Sequence, residues 1–520
     1  MEHARIVPSL AQKLIKNTFF NVLGKVWFLL VAFALTPYII HRVGVERFGI
    51  WAIASVITGY FGFFDFGIGT SFVKYISEFY TKKDHVKLNQ VINTGMFFYF
   101  FFSLFTIAIS FFAVGPILAF LKIPPHLYAE ALFVFWLGII LFCVYNIMST
   151  FEAIPTGLQR MDISNKVAML VSLPNIAGTV FFLENGYGLR GLMVNNAIIL
   201  TISSAINVVI SYRIFPQLRF NLFLSTRETF DELFSFGFKV QLTRAAIIIN
   251  NSIVKLLTAH FLNLSLVGFY ELGQKIIMFA RDILLMSVYA IMPAAAETEA
   301  KNDRAMTQEL YLRVSKYFNI LAMPALAFIF VTAPLIILGW TGSEYKTSVL
   351  VVWLLIPGHI INILTIVGAF MAQGIGRPGI TARALTITAI LNLIISTILV
   401  FKAGFIGVVI GTSFSLGIGS LIFINIFNRY LKIPVLPFLK STLAIPLAAS
   451  LMAAAVVYCT VHFYGSFYHS RPVNILLLAL NGCLFSCIYT VVILKSNHLD
   501  INDRNNIIKI FNFLISRGKK

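Results

Sequence analysis

The chain has 520 residues, of which 58% are hydrophobic and only 12% charged, and its mean hydropathy is +0.86. A soluble domain carries about a quarter charged residues, and this composition in water would expose large apolar patches. A soluble enzyme is therefore excluded, and the net charge of +19 has to be read against a bilayer before it is read as a nucleic-acid footprint.

The N-terminal stretch MEHARIVPSLAQKLIKN is basic and weakly amphipathic, with no cleavage site after a short apolar core, so it does not read as a signal peptide. A span needs about 20 apolar residues, and the apolar runs predict fourteen. In chain order they are 18–41, 48–74, 90–113, 131–155, 166–183, 191–211, 238–262, 266–292, 317–339, 349–372, 380–401, 405–427, 441–463 and 474–494. The four cysteines lie in or near these runs without ligand partners, so no metal site is expected. Alternate connections differ sharply in charge. One set, with the termini, holds 29 of the 40 basic residues, and the other holds Arg42, Arg47, Lys122, Arg190, Lys346, Lys402 and Arg471. The positive-inside rule then puts both termini in the cytoplasm and accounts for most of the net charge, leaving no call for a nucleic-acid partner.

The chain also resembles itself. Gly49-Ile50-Trp51 and Gly268-Phe269-Tyr270 open the second and eighth spans, each with a glutamate 29 positions on, Glu78 and Glu297. Gly157-Leu158-Gln159-Arg160 pairs with Gly374-Ile375-Gly376-Arg377, and Gly188-Leu189-Arg190-Gly191 with Gly404-Phe405-Ile406-Gly407. The offsets of 219, 217 and 216 drift as small indels require. The expected fold is an all-α polytopic membrane protein of about fourteen transmembrane helices. Two pseudo-symmetric six-helix lobes, 1–215 and 216–430, are followed by two extra helices and a cytoplasmic tail at 431–520. An even number of spans per lobe implies an axis along the membrane normal, a substrate path between the lobes and alternating access.

An ionisable group inside a span costs at least about 2.5–3.5 kcal/mol on insertion scales, so such groups mark a cavity or a partner. Lys25 interrupts the first span, and its repeat mate is Arg244 in the seventh. Arg244, Asn251 and Lys255 share one helical face, and Glu271, Lys275 and Asp282 form a stripe on the eighth span flanked by Arg281. Asp65 lies in the second span, and Glu78 and Glu297 follow it and its counterpart. Blander roles stand beside these. Lys25 and Arg244 are near enough to the interface to snorkel, Glu271 and Lys275 are spaced to neutralise one another, and Glu78 and Glu297 are placed to brace loops at the water boundary. The candidate anion-binding set is Lys25, Arg244, Asn251, Lys255, Lys275 and Arg281. The candidate coupling or gating set is Asp65, Glu78, Glu271, Asp282 and Glu297. Cations outnumber carboxylates among the in-span groups, which suits an anion such as a pyrophosphate.

Phe48-Gly49-Ile50-Trp51, then Asp65-Phe66-Gly67-Ile68-Gly69, then Lys74-Tyr75-Ile76-Ser77-Glu78, together with Gly157-Leu158-Gln159-Arg160, resemble the Wzx-type polysaccharide flippases. These belong to the multidrug/oligosaccharidyl-lipid/polysaccharide exporter superfamily, and the resemblance runs the length of the chain. It implies a cationic cavity and a non-enzymatic transporter of the bacterial inner membrane. The implied substrate is an undecaprenyl-pyrophosphate-linked oligosaccharide, moved from the cytoplasmic to the outer leaflet for O-antigen, capsule or exopolysaccharide. The implied partners are membrane lipids, a polysaccharide polymerase and a chain-length regulator. No cofactor is expected beyond a coupling ion, H+ or Na+, because Gln373-Gly374-Ile375-Gly376-Arg377 lacks the Gly-Lys-Ser/Thr ending of a nucleotide loop. Three rivals fit less well. A multidrug cation antiporter calls for an acidic lumen, a glycan polymerase or ligase calls for a large outer loop, and a scaffold leaves the in-span charges unexplained.

Overall fold

The computed structural model describes residues 10–61, 68–463, 470–496 and 498, and along 10–23 and 236–251 only the course of the helix is described. Most of the predicted C-terminal tail lies outside the described residues. All regular structure among the described residues is helical. This is the form in which an apolar chain satisfies its backbone polar groups without water. The helices are α1 (Leu10–Val43), α2 (Val45–Phe61), α3 (Ile68–Thr81), α4 (His85–Phe120), α5 (Pro125–Gly157), α6 (Met161–Glu184), α7 (Gly188–Ile214), α8 (Arg227–Phe261) and α9 (Leu264–Met286). They continue with α10 (Ile291–Ala300), α11 (Arg304–Trp340), α12 (Thr347–Ile363), α13 (Thr365–Gly374), α14 (Pro378–Tyr430), α15 (Val435–Thr442), α16 (Ala444–Phe463) and α17 (Arg471–Lys495).

Among the described residues, nine helices are individually long and apolar enough to cross a membrane. Two further spans are bent pairs, α9 with α10 at 46° and α12 with α13 at 40°. The 53-residue α14 is two spans joined at Ala403 and Gly404, where helical geometry is lost and Gly404 takes a φ of +56°. With α14 divided these make twelve spans, and the two remaining predictions, 48–74 and 238–262, fall on α2 with α3 and on α8, parts of which lie outside the fully described residues.

The repeat is carried into the backbone. Asp84 caps α4 by accepting from Lys87 N, and Asp303 caps α11 by accepting from Met306 N, each at 2.9 Å. The residue before each cap, Lys83 or Asn302, is left-handed. A Cβ on Gly157 would press on Ile76, and one on Gly374 would collide with Met292 and Ala295, so the end of α5 is seated against α3 and the end of α13 against α10. The widest use of symmetry is at Gly49 and Gly268. A Cβ on Gly49 would run into the Leu264 carbonyl oxygen, and one on Gly268 into that of Val45. All four residues keep the offset of 219. The starts of α2 and α9 thus touch backbone to backbone, each through its own glycine.

The link from α7 to α8 is strapped to α4. Asn89 Nδ2 donates to Gln217 O at 3.0 Å and its Oδ1 accepts from Arg219 N at 2.7 Å. Asn93 repeats the pattern with Arg219 O and Asn221 N at 2.7 and 2.8 Å. In the second half Gln308, 219 positions after Asn89, donates to Leu431 O at 2.6 Å.

By contact the chain divides into two units, Met1–Glu271 with Ala389–Val408, and Leu272–Thr388 with Val409–Lys520. In the first, a core of Ile68, Phe72, Ile76, Tyr99, Phe151 and Leu233 joins α3, α4, α5 and α8, and Ser71 Oγ donates to Leu233 O at 2.8 Å. In the second, the two extra helices α16 and α17 pack on α11 through Ala449, Ala453, Val457, Phe485 and Tyr489. Tyr489 Oη donates to Ile320 O at 2.7 Å and Thr460 Oγ1 to Asn481 Oδ1 at 2.5 Å. In lipid such packing contacts and internal hydrogen bonds, rather than apolar burial, hold helices together.

Candidate functional site

The sequence-derived residues do not all meet. The best-defined element is an ion pair between Lys255 near the end of α8 and Glu271 on α9, with Nζ to Oε2 at 2.5 Å. The chain reverses at Leu262 and Asn263, where Asn263 Oδ1 accepts from Leu266 N at 2.9 Å and starts α9. Lys255 and Glu271 stand eight positions either side of Asn263, so the antiparallel return brings them level. Their side chains are 14% and 24% exposed, shielded enough for charge to be costly unless matched. Glu271 is thus bound across helices to Lys255, besides having Lys275 one turn along its own helix. The pair sets a cation and an anion side by side in an apolar stretch.

Within the second unit, α9 carries Lys275, Arg281 and Asp282, all half-buried. Arg281 Nη1 lies 3.8 Å from Met278 Sδ, and its guanidinium is within electrostatic range of the buried His359 on α12. Lys25 is half-buried on α1, directly after Gly24, whose Cα abuts the Asn165 side chain of α6. Asp65 lies outside the described residues, as do the side chains of Arg244 and Asn251.

Glu78 and Glu297 stand apart from this set. Each takes the ammonium of the lysine four positions on, Lys82 or Lys301, at 2.6 Å. The hydrogen bond that each lysine donates to its carboxylate pushes that lysine above the ordinary range. The two pairs occupy equivalent exposed positions, at the ends of α3 and α10. As exposed i,i+4 pairs they brace helix ends, with most of their attraction screened by water.

Sequence reading passed over Asn89 and Asn93, whose only signal was their own i,i+4 spacing behind the Asp84 cap. It also passed over Glu152, an exposed carboxylate late in α5. Among the described residues no cluster of three or more His, Cys, Asp or Glu is arranged to hold a metal.

Known proteins match this arrangement. A family described as polysaccharide biosynthesis protein matches residues 14–299. A putative O-antigen transporter of Shigella flexneri is 22% identical over 424 residues, which are 80% of this chain and 98% of that one. The lipid II flippase MurJ, solved in an inward closed conformation, superposes with a TM-score of 0.68 at 16% identity, covering 93% of this chain and 99% of that one. An inward-facing multidrug resistance MATE family transporter of the MOP superfamily gives 0.61 at 15% identity, over 85% and 98%. The chain thus shares its all-helical fold with these two transporters.

Proposed function

The chain belongs to the polysaccharide biosynthesis protein family, and from that premise we propose that it is a lipid-linked glycan flippase. It is a multi-pass membrane transporter rather than an enzyme. Its cargo is an oligosaccharide repeat unit on undecaprenyl pyrophosphate, carried from the cytoplasmic to the outer leaflet of the bacterial inner membrane by alternating access. The product supplies a surface polysaccharide such as O-antigen, capsule or exopolysaccharide, where a polymerase and a chain-length regulator act next. Both termini face the cytoplasm, in keeping with the 29 basic residues on that side. Near-complete coverage of the Shigella flexneri transporter supports the cargo class, and the fold shared with the lipid II flippase supports the mode of movement.

The single observation that carries the reading is the shielded Lys255–Glu271 pair. Glu271 matches the Lys255 ammonium in an apolar setting, and a pyrophosphate is the stronger acceptor for it. When Lys255 turns to the pyrophosphate, Glu271 loses that partner, and a proton or Na+ is the smallest ion that offsets the change. Cargo and coupling ion then alternate at one pair of side chains. Lys25, Arg244, Lys275 and Arg281 add positive potential, and Asn251 adds an uncharged donor. Asp65 and Asp282 take gating roles, and Glu78 and Glu297 set the helix ends that move.

The test is complementation of a flippase-null host that makes its own surface polysaccharide. A Lys255→Met/Glu271→Gln variant removes both charges together and is expected in the membrane at wild-type level. One charge-assisted contact contributes about 1.5–3 kcal/mol, so surface glycan should fall at least about tenfold. Wild-type export by this variant would overturn the assignment of the pair.

A further inference from the structure

Within the first unit a groove of about 310 Å³ opens between α2, α5 and α7. Its chemistry is set by Trp51, Ser55 and Thr58 of α2, Phe142 and Tyr145 of α5, and Asn196 of α7. Positions 51, 55 and 58 follow the i, i+4, i+7 spacing of one helical face, so α2 devotes a stripe to the groove rather than a stray side chain. Ser55 Oγ donates to Trp51 O and Thr58 Oγ1 to Ala54 O, each at 3.0 Å. Both hydroxyl oxygens therefore keep their acceptor lone pairs for a ligand. Asn196 brings an amide that donates and accepts, and the three aromatic residues bring flat faces with a polar edge on Trp and Tyr. None of the described lining residues carries a formal charge.

An acyl chain makes no use of the acceptor lone pairs of the two hydroxyls and would leave the Asn196 amide without a partner from the ligand. A pyrophosphate has no cation here to bind. A sugar ring suits every element: its C–H face lies on an aromatic ring, and its hydroxyls exchange hydrogen bonds with Ser, Thr and Asn. The volume stands at the low end of the range of about 300–1,000 Å³ for small-molecule sites, enough for about one or two rings. The same face of α5 continues to Glu152, seven positions beyond Tyr145 and about 10 Å further along the helix. Its exposed carboxylate is suited to accept from paired sugar hydroxyls.

We propose that this groove is the saccharide subsite of the flippase, holding sugar rings of the lipid-linked glycan while the in-span cations hold its pyrophosphate. The inference rests on the flippase reading and adds where the sugar is recognised.

The test places the photocrosslinker p-benzoylphenylalanine at Tyr145, at Leu256 beside Lys255, or at Phe112, which is 77% exposed on α4. The full-length protein is irradiated in cells whose glycan intermediates carry tritiated sugar. Sugar label at 145 and none at 112 is the expected result. Label at 256 without label at 145 overturns the subsite and leaves the flippase standing. Label at neither 145 nor 256 overturns both, and adducts at 145 to phospholipid acyl chains alone make the groove a lipid cleft. In parallel, Trp51→Ala is expected to lower surface glycan roughly three- to tenfold at unchanged protein level, with Trp51→Tyr restoring it. Equal export by wild type and Trp51→Ala contradicts a stacking role.

Discussion

Lys255 and Glu271 are held together by an environment that tolerates neither alone. Removing one partner of a shielded pair leaves an uncompensated charge, at a cost of about 3–5 kcal/mol, whereas neutralising both is close to free. Lys255→Met alone is therefore expected to lower the thermal midpoint of the detergent-purified protein well below that of Lys255→Met/Glu271→Gln. A single variant as stable as the double one would mean that the carboxylate finds another partner. Export should stay low in both, which separates loss of function from loss of fold. Both residues stand out in the sequence because charge is rare inside spans. Their pairing does not, because the i,i+4 rule points Glu271 to Lys275. Only the reversal at Asn263 brings Lys255 level with it. Glu78 and Glu297 show the opposite limit: their positions mark the repeat, while their exposure and local lysine partners make them braces at the helix ends.

Two devices govern how elements meet. At the starts of α2 and α9, Gly49 and Gly268 each leave room for the other helix's carbonyl. A methyl at either position forces the backbones apart, at an overpacking cost of about 1–3 kcal/mol. Gly49→Ala and Gly268→Ala should each lower the thermal midpoint. The double variant should lose less than the sum, because the first methyl has already opened the contact the second would clash with. Strict additivity would mean that the two glycines do not face one another. The second device is the strap on α4. Asn93→Leu takes the side-chain partner from Arg219 O and Asn221 N, on a linker exposed enough for water to replace part of the loss, at a cost of about 1–3 kcal/mol in all. A lowered midpoint and faster proteolysis between α7 and α8 are expected, and an unchanged cleavage rate would contradict the strap. The glycine motifs and the Asp84 and Asp303 caps were legible because capping and close approach demand particular residue types. The strap was not, since an asparagine within a helix looks alike whether it faces a linker or a neighbouring helix.

At the scale of the molecule, the helical spans were legible because lipid forces nearly every segment into a helix of fixed minimum length. The bend between α9 and α10 and the break at Leu364 were not, for both lie inside continuous apolar runs where hydropathy has no feature. The contact units also follow a different line from the repeat, since α8 packs on α3 through Ser71 and Leu233. The proposed activity is movement of a lipid-linked glycan between leaflets. Its most direct test uses proteoliposomes carrying an undecaprenyl-pyrophosphate oligosaccharide with a fluorophore on the sugar, quenched by a membrane-impermeant reductant. With the protein present, quenching is expected to pass beyond the outer-leaflet share toward completeness, and to stay at that share with Lys255→Met/Glu271→Gln. Quenching that stops at the outer-leaflet share with correctly inserted wild-type protein, under an imposed proton or Na+ gradient of either sign, would contradict it.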